Sequence, residues 1–319
     1  MYKLDKKDKD ILYQLDLDSR QSFNQIGRKV RTSKEVVQYR IKQLEKEGVI
    51  KGYQTLIDVS KLGYITGRFF LKLREDTPEQ ENKIIDYYKN HPKFWWVDQI
   101  SGGFRDLGLA CWIKNIYDFY NIKEDLIKRF GRYINDLYIS LYCKFYVYNR
   151  NYLCRDKERK NETKILFFPE LADFDDKDIK ILRLIAGNAR MNFVDISEKT
   201  GISITNVDYR IKKMIRKGII KGFKVLLDLA KIGYYWYKIE MQLSDISVKQ
   251  QMLNYFEKHL NIVYAYETLS DNDLELELEV DSYEKFREVL EDIRKVFGKS
   301  IKKYHYFLWY KEHKFLFMP

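Results

Sequence analysis

The chain opens with apolar residues spaced at the period of short helices. The apolar positions within 11–15 follow Asp5, whose carboxylate can cap a first helix. Residues 22–25 have the Ser-x-x-Gln spacing of a capping box and predict a second helix. Ser33 is placed to cap a third helix, which Gly48 should end. Three short helices in this arrangement predict a helix-turn-helix unit.

The third helix is predicted to bury one face and to leave the other free. Val37, Ile41 and Leu44 recur at i, i+4 and i+7 and predict its buried stripe. The β-prone residues 50–57 follow and predict a small wing. The fold of this part is therefore a winged helix-turn-helix.

A different rhythm follows, in which strand and helix patterns alternate. The predicted elements are strand 67–73, helix 78–89, strand 95–101, strand 107–113, helix 117–130 and strand 135–148. The order β-α-β-β-α-β predicts a ferredoxin-like antiparallel sheet with both helices on one face.

The whole pattern occurs twice. Positions 4–64 align without a gap on positions 174–234. The second β-α-β-β-α-β part is predicted at 235–243, 248–259, 263–269, 274–280, 283–297 and 302–317. Such a regular offset indicates a duplicated unit.

The last strand of each copy has two apolar faces. In copy 1 one predicted face carries Ile139, Leu141, Cys143, Phe145 and Val147, and the other carries Tyr138, Tyr142, Tyr146 and Tyr148. One face can pack on the helices, and the other needs a second cover, most simply another sheet. Whether the two sheets pair within one chain or between chains stays open, and a semi-exposed tyrosine surface is the alternative.

These patterns predict an α+β chain in which two winged helix-turn-helix domains alternate with two ferredoxin-like domains. The predicted boundaries are 1–63 and 64–149 for copy 1, and 173–233 and 234–319 for copy 2. The charged, irregular residues 150–172 are interpreted as a linker.

Charge favours a polyanionic partner. The chain carries 58 Lys and Arg against 47 Asp and Glu, a net charge of +11. No apolar run is long enough for a membrane span, and no signal peptide is recognisable at the start. Three scattered cysteines predict reduced thiols rather than disulfides or a zinc site. A cytoplasmic protein that binds double-stranded DNA is the expectation.

The free face of the third helix carries the candidate DNA-reading residues. Glutamine can pair with adenine and glutamate with cytosine, while lysine and arginine suit phosphates. The candidates in copy 1 are Ser33, Lys34, Glu35, Gln38, Tyr39, Arg40 and Lys42. Those in copy 2 are Ser203, Thr205, Asn206, Asp208, Tyr209, Arg210 and Lys212. Because Asn206 and Asp208 stand where copy 1 has Val36 and Gln38, the two helices are predicted to prefer different half-sites.

The chain resembles the Lrp/AsnC family of transcriptional regulators. The resemblance rests on the spacing Leu4-Asp5-x-x-Asp8, on Gly48-Val49-Ile50-x-Gly52-Tyr53 and on Lys61-Leu62-Gly63-Tyr64, each repeated in copy 2. It implies that the β-α-β-β-α-β parts are effector-binding RAM domains. It also implies that the chain is a pseudo-dimer fused into one polypeptide, with further homo-oligomers as a possibility.

The resemblance implies an amino acid as the class of effector, bound near the turn between the second and third RAM strands. Gly102, Gly103 and Asp106 in copy 1 and Asp273 in copy 2 are the candidate effector-binding residues. No catalytic residues, metal site or cofactor are expected. Two alternatives stay open: an architectural DNA-binding protein without effector response, and an enzyme like the siroheme decarboxylases, which share this fold.

Overall fold

The computed structural model describes residues 1–74, 78–154, 160, 162–167, 170–316 and 318. Its α-helices are α1 (Lys6–Leu17), α2 (Phe23–Val30), α3 (Lys34–Lys46), α4 (Pro78–Asn90), α5 (Ile116–Phe130), α6 (Asp176–Ala186), α7 (Phe193–Thr200), α8 (Ile204–Arg216), α9 (Lys249–Lys258) and α10 (Tyr283–Phe297). Its strands are β1 (Ile50–Ile57), β2 (Ile65–Leu73), β3 (Phe94–Ser101), β4 (Leu107–Ile113), β5 (Ile134–Val147), β6 (Lys164–Leu166), β7 (Ile220–Leu227), β8 (Tyr235–Leu243), β9 (Ile262–Leu269), β10 (Leu274–Val280) and β11 (Ile301–Phe315). The α+β fold class predicted from the sequence is confirmed.

Side-chain caps start the helices of the first unit where the sequence indicates. The Asp5 carboxylate accepts the backbone N–H of Asp8 at 2.8 Å. The Ser22 hydroxyl accepts from the backbone N–H of Gln25 at 3.2 Å. In the same way, the Ser33 hydroxyl accepts from the backbone N–H of Val36 in the first turn of α3. Each cap satisfies a backbone donor that the first helical turn leaves free, so the helix begins at a defined residue.

The two wings form one sheet. Strand β1 pairs antiparallel with β7 of the other copy, with Tyr53 opposite Val225 and Thr55 opposite Phe223. The sequence predicted a wing for each unit separately, whereas the structure gives each strand the other copy as its partner. This pairing satisfies backbone groups that a lone strand would leave open. The two helix-turn-helix units are therefore held together within one chain.

The sheets of the two β-α-β-β-α-β parts join into a closed ring of strands. Its order is β2-β4-β3-β11-β8-β10-β9-β5, and β5 pairs back with β2. The first half of β5 pairs with β2 of its own copy, and the second half pairs with β9 of the other copy. Likewise, the first part of β11 pairs with β8 of its own copy, and its last part pairs with β3 of the other copy. The sheets thus pair within this chain.

A β-bulge changes which faces of β5 are buried. The register between β5 and β9 shifts between Tyr142 and Lys144, so Cys143 is the extra residue and is exposed. As a result, Tyr142 and Phe145 both face the ring interior, with ring centroids 6.4 Å apart. Tyr146 instead packs with the helices of copy 2. The simple alternation predicted from the sequence is wrong beyond Cys143, because a bulge reverses the face of every later residue.

The ring interior contains charged side chains as well as aromatic ones. The buried Arg68 guanidinium donates to the Glu275 carboxylate at 2.8 Å. The Lys238 ammonium lies 2.9 Å from Glu275 and 3.0 Å from Glu277. Burial by itself would raise the pKa of Glu275. The nearby cations of Arg68 and Lys238 lower this pKa by more than burial raises it, so it lies below its ordinary value.

Parts of the predicted linker have regular structure. Residues 151–153 form a turn of 3-10 helix, and β6 adds to the edge of β5. Residues 155–159, 161, 168 and 169 of the linker lie outside the described residues. The described part of the linker is therefore not wholly irregular, because its strand β6 belongs to the sheet.

Candidate DNA-binding face and effector cavity

The free face of α3 is open to solvent. Tyr39 is 70% exposed, and Lys34, Glu35 and Lys42 are exposed beside it. Gln38 is half-buried, next to the stripe of α3 that packs on the core of its own unit. Because base edges in the major groove are reached by exposed side chains of such a helix, this face can read DNA.

Helix α8 presents a corresponding face with different chemistry. Tyr209 is 58% exposed, and Thr205 is exposed near the start of the helix. Asn206 and Asp208 are half-buried, and Asp208 accepts from the Lys212 ammonium at 2.7 Å. Ser203 precedes the helix but makes no side-chain cap. The two faces therefore differ in the donors and acceptors that they offer to bases.

Arg40 and Arg210 hold their helices in place. Arg40 donates to Asp5 at 2.7 Å and to Asp8 at 2.8 Å, which joins α3 to the start of α1. Arg210 makes the same pairs with Asp175 and Asp178. Both arginines were candidates for phosphate contacts. That assignment stays a prediction, and the structure adds a role in positioning the recognition helices.

A second pair of arginines locks the two units together. The Arg20 guanidinium donates to the carbonyl of Ala189 at 2.6 Å, and Arg190 donates to the carbonyl of Ser19. Arg20 also lies 5.0 Å from the ring centroid of Phe193. The sequence shows these two arginines as identical repeat positions, but only the fold shows that each one reaches into the other copy.

A buried ionic cluster joins the first helix-turn-helix unit to the ring. The Arg150 guanidinium donates to Asp16 of α1 at 2.8 Å and to Glu279 of β10 at 2.8 and 3.0 Å. Lys224 of the wing donates to Asp16 at 3.0 Å. Burial acts to raise the pKa of Asp16, but Lys224 and Arg150 bring it below its ordinary value. These four residues are called the junction cluster below.

The corresponding junction on the other side is aromatic. The repeat counterparts of Asp16, Lys224 and Glu279 are Ala186, Gln54 and Trp112. The Trp112 ring stacks on Trp95 with centroids 4.8 Å apart. The positions that correspond to Asp16, Lys224 and Glu279 therefore carry uncharged side chains, and one of these belongs to a stacked tryptophan pair.

Two adjacent cavities open at the mouth of the ring, between the RAM domains. Their volumes are about 580 and 220 Å³. Both are lined by Arg105, Tyr138, Glu240, Asp271 and Asn272. The shared lining offers a cation, carboxylates and an amide within one opening, as recognition of a small zwitterion requires.

Arg105 lies at the centre of this opening. Its guanidinium donates to Glu240 and lies 4.2 Å from the ring centroid of Phe70. The repeat counterpart of Arg105 is Asn272, so the two copies contribute unlike groups to the same opening. Arg105 is not among the residues predicted from the sequence to bind the effector, although it directly precedes Asp106 in the predicted turn.

The predicted effector residues lie around these cavities in different roles. Gly103 lines the smaller cavity, and Gly102 and Gly103 both have positive φ angles, which favour glycine. Asp106 accepts from the backbone N–H of Leu73 at 2.7 Å, and Asp273 accepts from that of Leu243 at 2.8 Å. These two carboxylates fasten strand ends, and their assignment to an effector stays a prediction.

In the part of the chain that the structure describes, no group of His, Cys, Asp and Glu is arranged to hold a metal ion. Among the described helices, none has the length and apolar character needed to span a membrane. His91 and His259 accept from the backbone N–H groups of Lys93 and Asn261 in matching turns.

Comparison with known proteins agrees with the helix-turn-helix geometry. A family model described as winged helix-turn-helix DNA-binding matches residues 4–51 and 174–221. An uncharacterized HTH-type transcriptional regulator of Pyrococcus furiosus is 30% identical over 146 residues, which is 42% of this chain and 89% of that protein. The transcriptional regulator LrpB of Bacillus subtilis is 29% identical over 121 residues, which is 38% of this chain and 81% of LrpB. The chain belongs to the Lrp/AsnC family of transcriptional regulators.

Coverage differs among other relatives. The regulator Ptr1 of Methanocaldococcus jannaschii is 34% identical over 96 residues, which is 30% of this chain and 65% of Ptr1. Among solved structures, the siroheme decarboxylase NirDL matches 98% of this Lrp/AsnC chain and 94% of its own, with a TM-score of 0.61 and 12% identity. At that identity the likeness shows the fold alone.

Proposed function

We propose that this protein is a sequence-specific transcriptional regulator whose two helix-turn-helix units read one operator. The observation that carries the proposal is the pair of exposed, non-identical recognition faces, fixed to each other by the shared wing and the exchanged arginines. Rigid connection favours simultaneous contact, because the second unit binds at a high effective concentration once the first is bound. An operator with two unequal half-sites is therefore expected.

The two exposed tyrosines provide a direct test of DNA reading. Changing Tyr39→Ala and Tyr209→Ala together should weaken operator binding at least about tenfold, because one lost base contact costs about 1–3 kcal/mol. The thermal stability should not change, since both side chains are exposed. A fluorescence anisotropy titration against selected DNA measures the affinity.

Tyr310→Ala is the matched control, because Tyr310 is 68% exposed on the ring and lies outside the recognition helices. It should leave the affinity unchanged. Equal affinity of the double variant and the wild-type protein, with an equal salt slope, would rule out the DNA-reading assignment.

The proposal includes a small effector, an amino acid, at the mouth of the ring. Arg105 supplies a cation for a carboxylate, and Glu240 with Asp271 supplies anions for an ammonium group. Because the cavities lie between the two copies, a ligand bound there would contact both RAM domains at once. Such a ligand can bias how the two copies are arranged only if it binds one arrangement more tightly.

A thermal-shift screen of free amino acids tests the effector proposal. An amino acid that binds the folded state raises the melting temperature, and Arg105→Met should lower its affinity at least about tenfold by removing a charge-assisted contact. Arg132→Met is the control and should bind normally, because Arg132 is exposed in the turn before β5 and does not line either cavity. Absence of any shift in the wild-type protein would count against the effector proposal and would favour an architectural role.

We also propose that the chain acts as a regulator and not as an enzyme. Its sequence relatives are named as regulators, and its four histidines are spread over the described structure, with His313 bonded to Gln99 and His305 at the smaller cavity. Incubation with siroheme under reducing conditions should leave the absorbance spectrum unchanged. A time-dependent spectral change with release of carbon dioxide would overturn this part of the proposal.

A further inference from the structure

The linker residue Phe167 fills a site between the wing and the ring of strands on the copy 1 side. Its phenyl group stacks on Tyr142 with centroids 5.7 Å apart and lies 6.1 Å from that of Phe145. Its backbone N–H donates to the Asp58 carboxylate at 3.0 Å. Phe167 is buried, and its φ angle of 70° lies in the left-handed region, which residues with a side chain rarely adopt. The contacts in this site therefore offset an unfavourable backbone conformation.

The same place on the copy 2 side is an open cavity of about 650 Å³. The repeat counterparts of the three residues that hold Phe167 all line it, namely Asp228 for Asp58, Trp309 for Tyr142 and Glu312 for Phe145. The equivalence holds in three dimensions, because β5 and β11 pair with their neighbours in the same register and carry a bulge at the same place. This cavity between β7, β8 and β11 is called the wing cavity below. Its volume is within the range of small-molecule sites, about 300–1,000 Å³.

The wing cavity has an aromatic wall. The centroids of Trp236 and Trp309 are 5.8 Å apart, and Tyr264 lies 6.4 Å from Trp236. The Trp236 indole N–H donates to Glu277 at 3.0 Å, which fixes the orientation of that side chain. Aromatic faces attract both other aromatic groups and organic cations. The wall therefore suits a flat aromatic group or an ammonium group.

A carboxylate replaces an aromatic group at one wall of the wing cavity. Glu312 stands where the filled site has Phe145. Its Oε1 atom is 2.6 Å from the ammonium of Lys51, which is exposed. A pair of this kind at the surface contributes little to stability and can be exchanged for another cation. Glu279 also lines the cavity, but Arg150 binds both of its oxygens. Glu312 is therefore the carboxylate that can best serve a ligand cation.

We propose that the wing cavity binds a small aromatic molecule that carries an ammonium group. The aromatic group lies against Trp309, as the phenyl group of Phe167 lies against Tyr142. The ammonium group binds Glu312 and displaces Lys51 from it. A molecule bound in this way contacts both the wing of the helix-turn-helix units and the ring of strands.

The wing cavity is separate from the two cavities at the mouth of the ring. The described residues that line it are all different from those that line the other two. Because the proposed amino acid effector binds at the mouth, failure of that proposal leaves the wing cavity unaffected.

Isothermal titration of the full chain with phenethylamine tests the proposal. The amine should bind at millimolar concentration or below. Hydrocinnamate has the same aromatic group and the opposite charge, whereas butylamine has the ammonium group and no aromatic group. Each should bind at least about tenfold more weakly, because each lacks one of the two contacts.

Two variants should move the affinity for phenethylamine in opposite directions. Glu312→Gln should weaken binding at least about tenfold, because it removes a hydrogen bond between charged groups. Lys51→Met should strengthen binding, because it removes the ammonium that competes for Glu312. Asp136→Asn is the matched control and should leave the affinity unchanged, because Asp136 is exposed on β5 and does not line the wing cavity.

Circular dichroism melting checks that each variant is folded. A wild-type protein that does not bind phenethylamine, or that binds hydrocinnamate equally well, would overturn the proposal. A folded Glu312→Gln variant with the affinity of the wild-type protein would overturn it as well. So would a folded Lys51→Met variant that binds the amine more weakly than the wild-type protein does.

Discussion

Asp98 is a carboxylate placed where carboxylates are rarely stable. It lies fully buried on β3. It pairs in register with Glu312 of β11. Burial, and next the nearby Glu312, raise the pKa of Asp98 well above its ordinary value.

This raised pKa predicts a pH dependence of stability with a definite sign. As pH rises, Asp98 loses its proton near the ordinary pKa in the unfolded chain but only at a higher pH in the folded state. The stability that Asp98 contributes below its ordinary pKa is therefore lost as pH rises. Asp98→Asn removes that titration. The free energy of unfolding of the wild-type protein should therefore fall, relative to that of the variant, as pH rises above about 4, the ordinary pKa of an aspartate.

Chemical denaturation at several pH values measures the difference. Asp136→Asn is the control, because Asp136 is exposed on β5 and should leave the pH profile of the wild-type protein unchanged. If Asp98→Asn and the wild-type protein lose stability in parallel over this range, Asp98 does not hold the extra proton.

At the scale of elements, the junction cluster connects three parts of the fold. Arg150 follows β5, Asp16 lies on α1 and Glu279 lies on β10. Arg150→Met should destabilise the protein by about 3–5 kcal/mol, because it leaves the buried Glu279 without its cation and Asp16 with Lys224 alone. Denaturant unfolding measures this loss, with Arg183→Met on the exposed side of α6 as the control.

Asp16 of the junction cluster should make stability depend on pH in the opposite direction to Asp98. The pKa of Asp16 is lowered, so its contribution is present above the ordinary pKa and is lost as pH falls. If Arg150→Met and Arg183→Met have comparable free energies of unfolding, the junction cluster does not stabilise the junction.

The elements themselves could largely be predicted from the sequence, but their partners could not. Helix and strand bounds follow from caps and from periodicity, as the observed start of α3 after Ser33 shows. The bulge at Cys143 could not be predicted, because nothing in the local pattern marks the extra residue. The exchange of Arg20 and Arg190, and the pairing of β1 with β7, depend on contacts between the copies that no local pattern contains.

At the scale of the whole molecule, duplication has produced two halves that share a fold and differ in chemistry. The recognition helices differ at Asn206 and Asp208, and the positions that correspond to Asp16, Lys224 and Glu279 of the junction cluster carry uncharged side chains. The sequence predicted the first of these differences, because both helices could be aligned position by position. The junctions depend on which side chains meet in space.

The central claim is that both recognition helices of one chain read one operator with unequal half-sites. Selection of bound sites from random DNA, carried out with the wild-type protein and with a Glu35→Thr, Val36→Asn, Gln38→Asp variant, tests it most directly. These changes give α3 the residues that α8 carries at the same positions. The wild-type protein should select two different half-sites at fixed spacing, and the variant should select a palindrome of the half-site read by α8. A palindrome already selected by the wild-type protein, or a motif unchanged in the variant, would contradict the account.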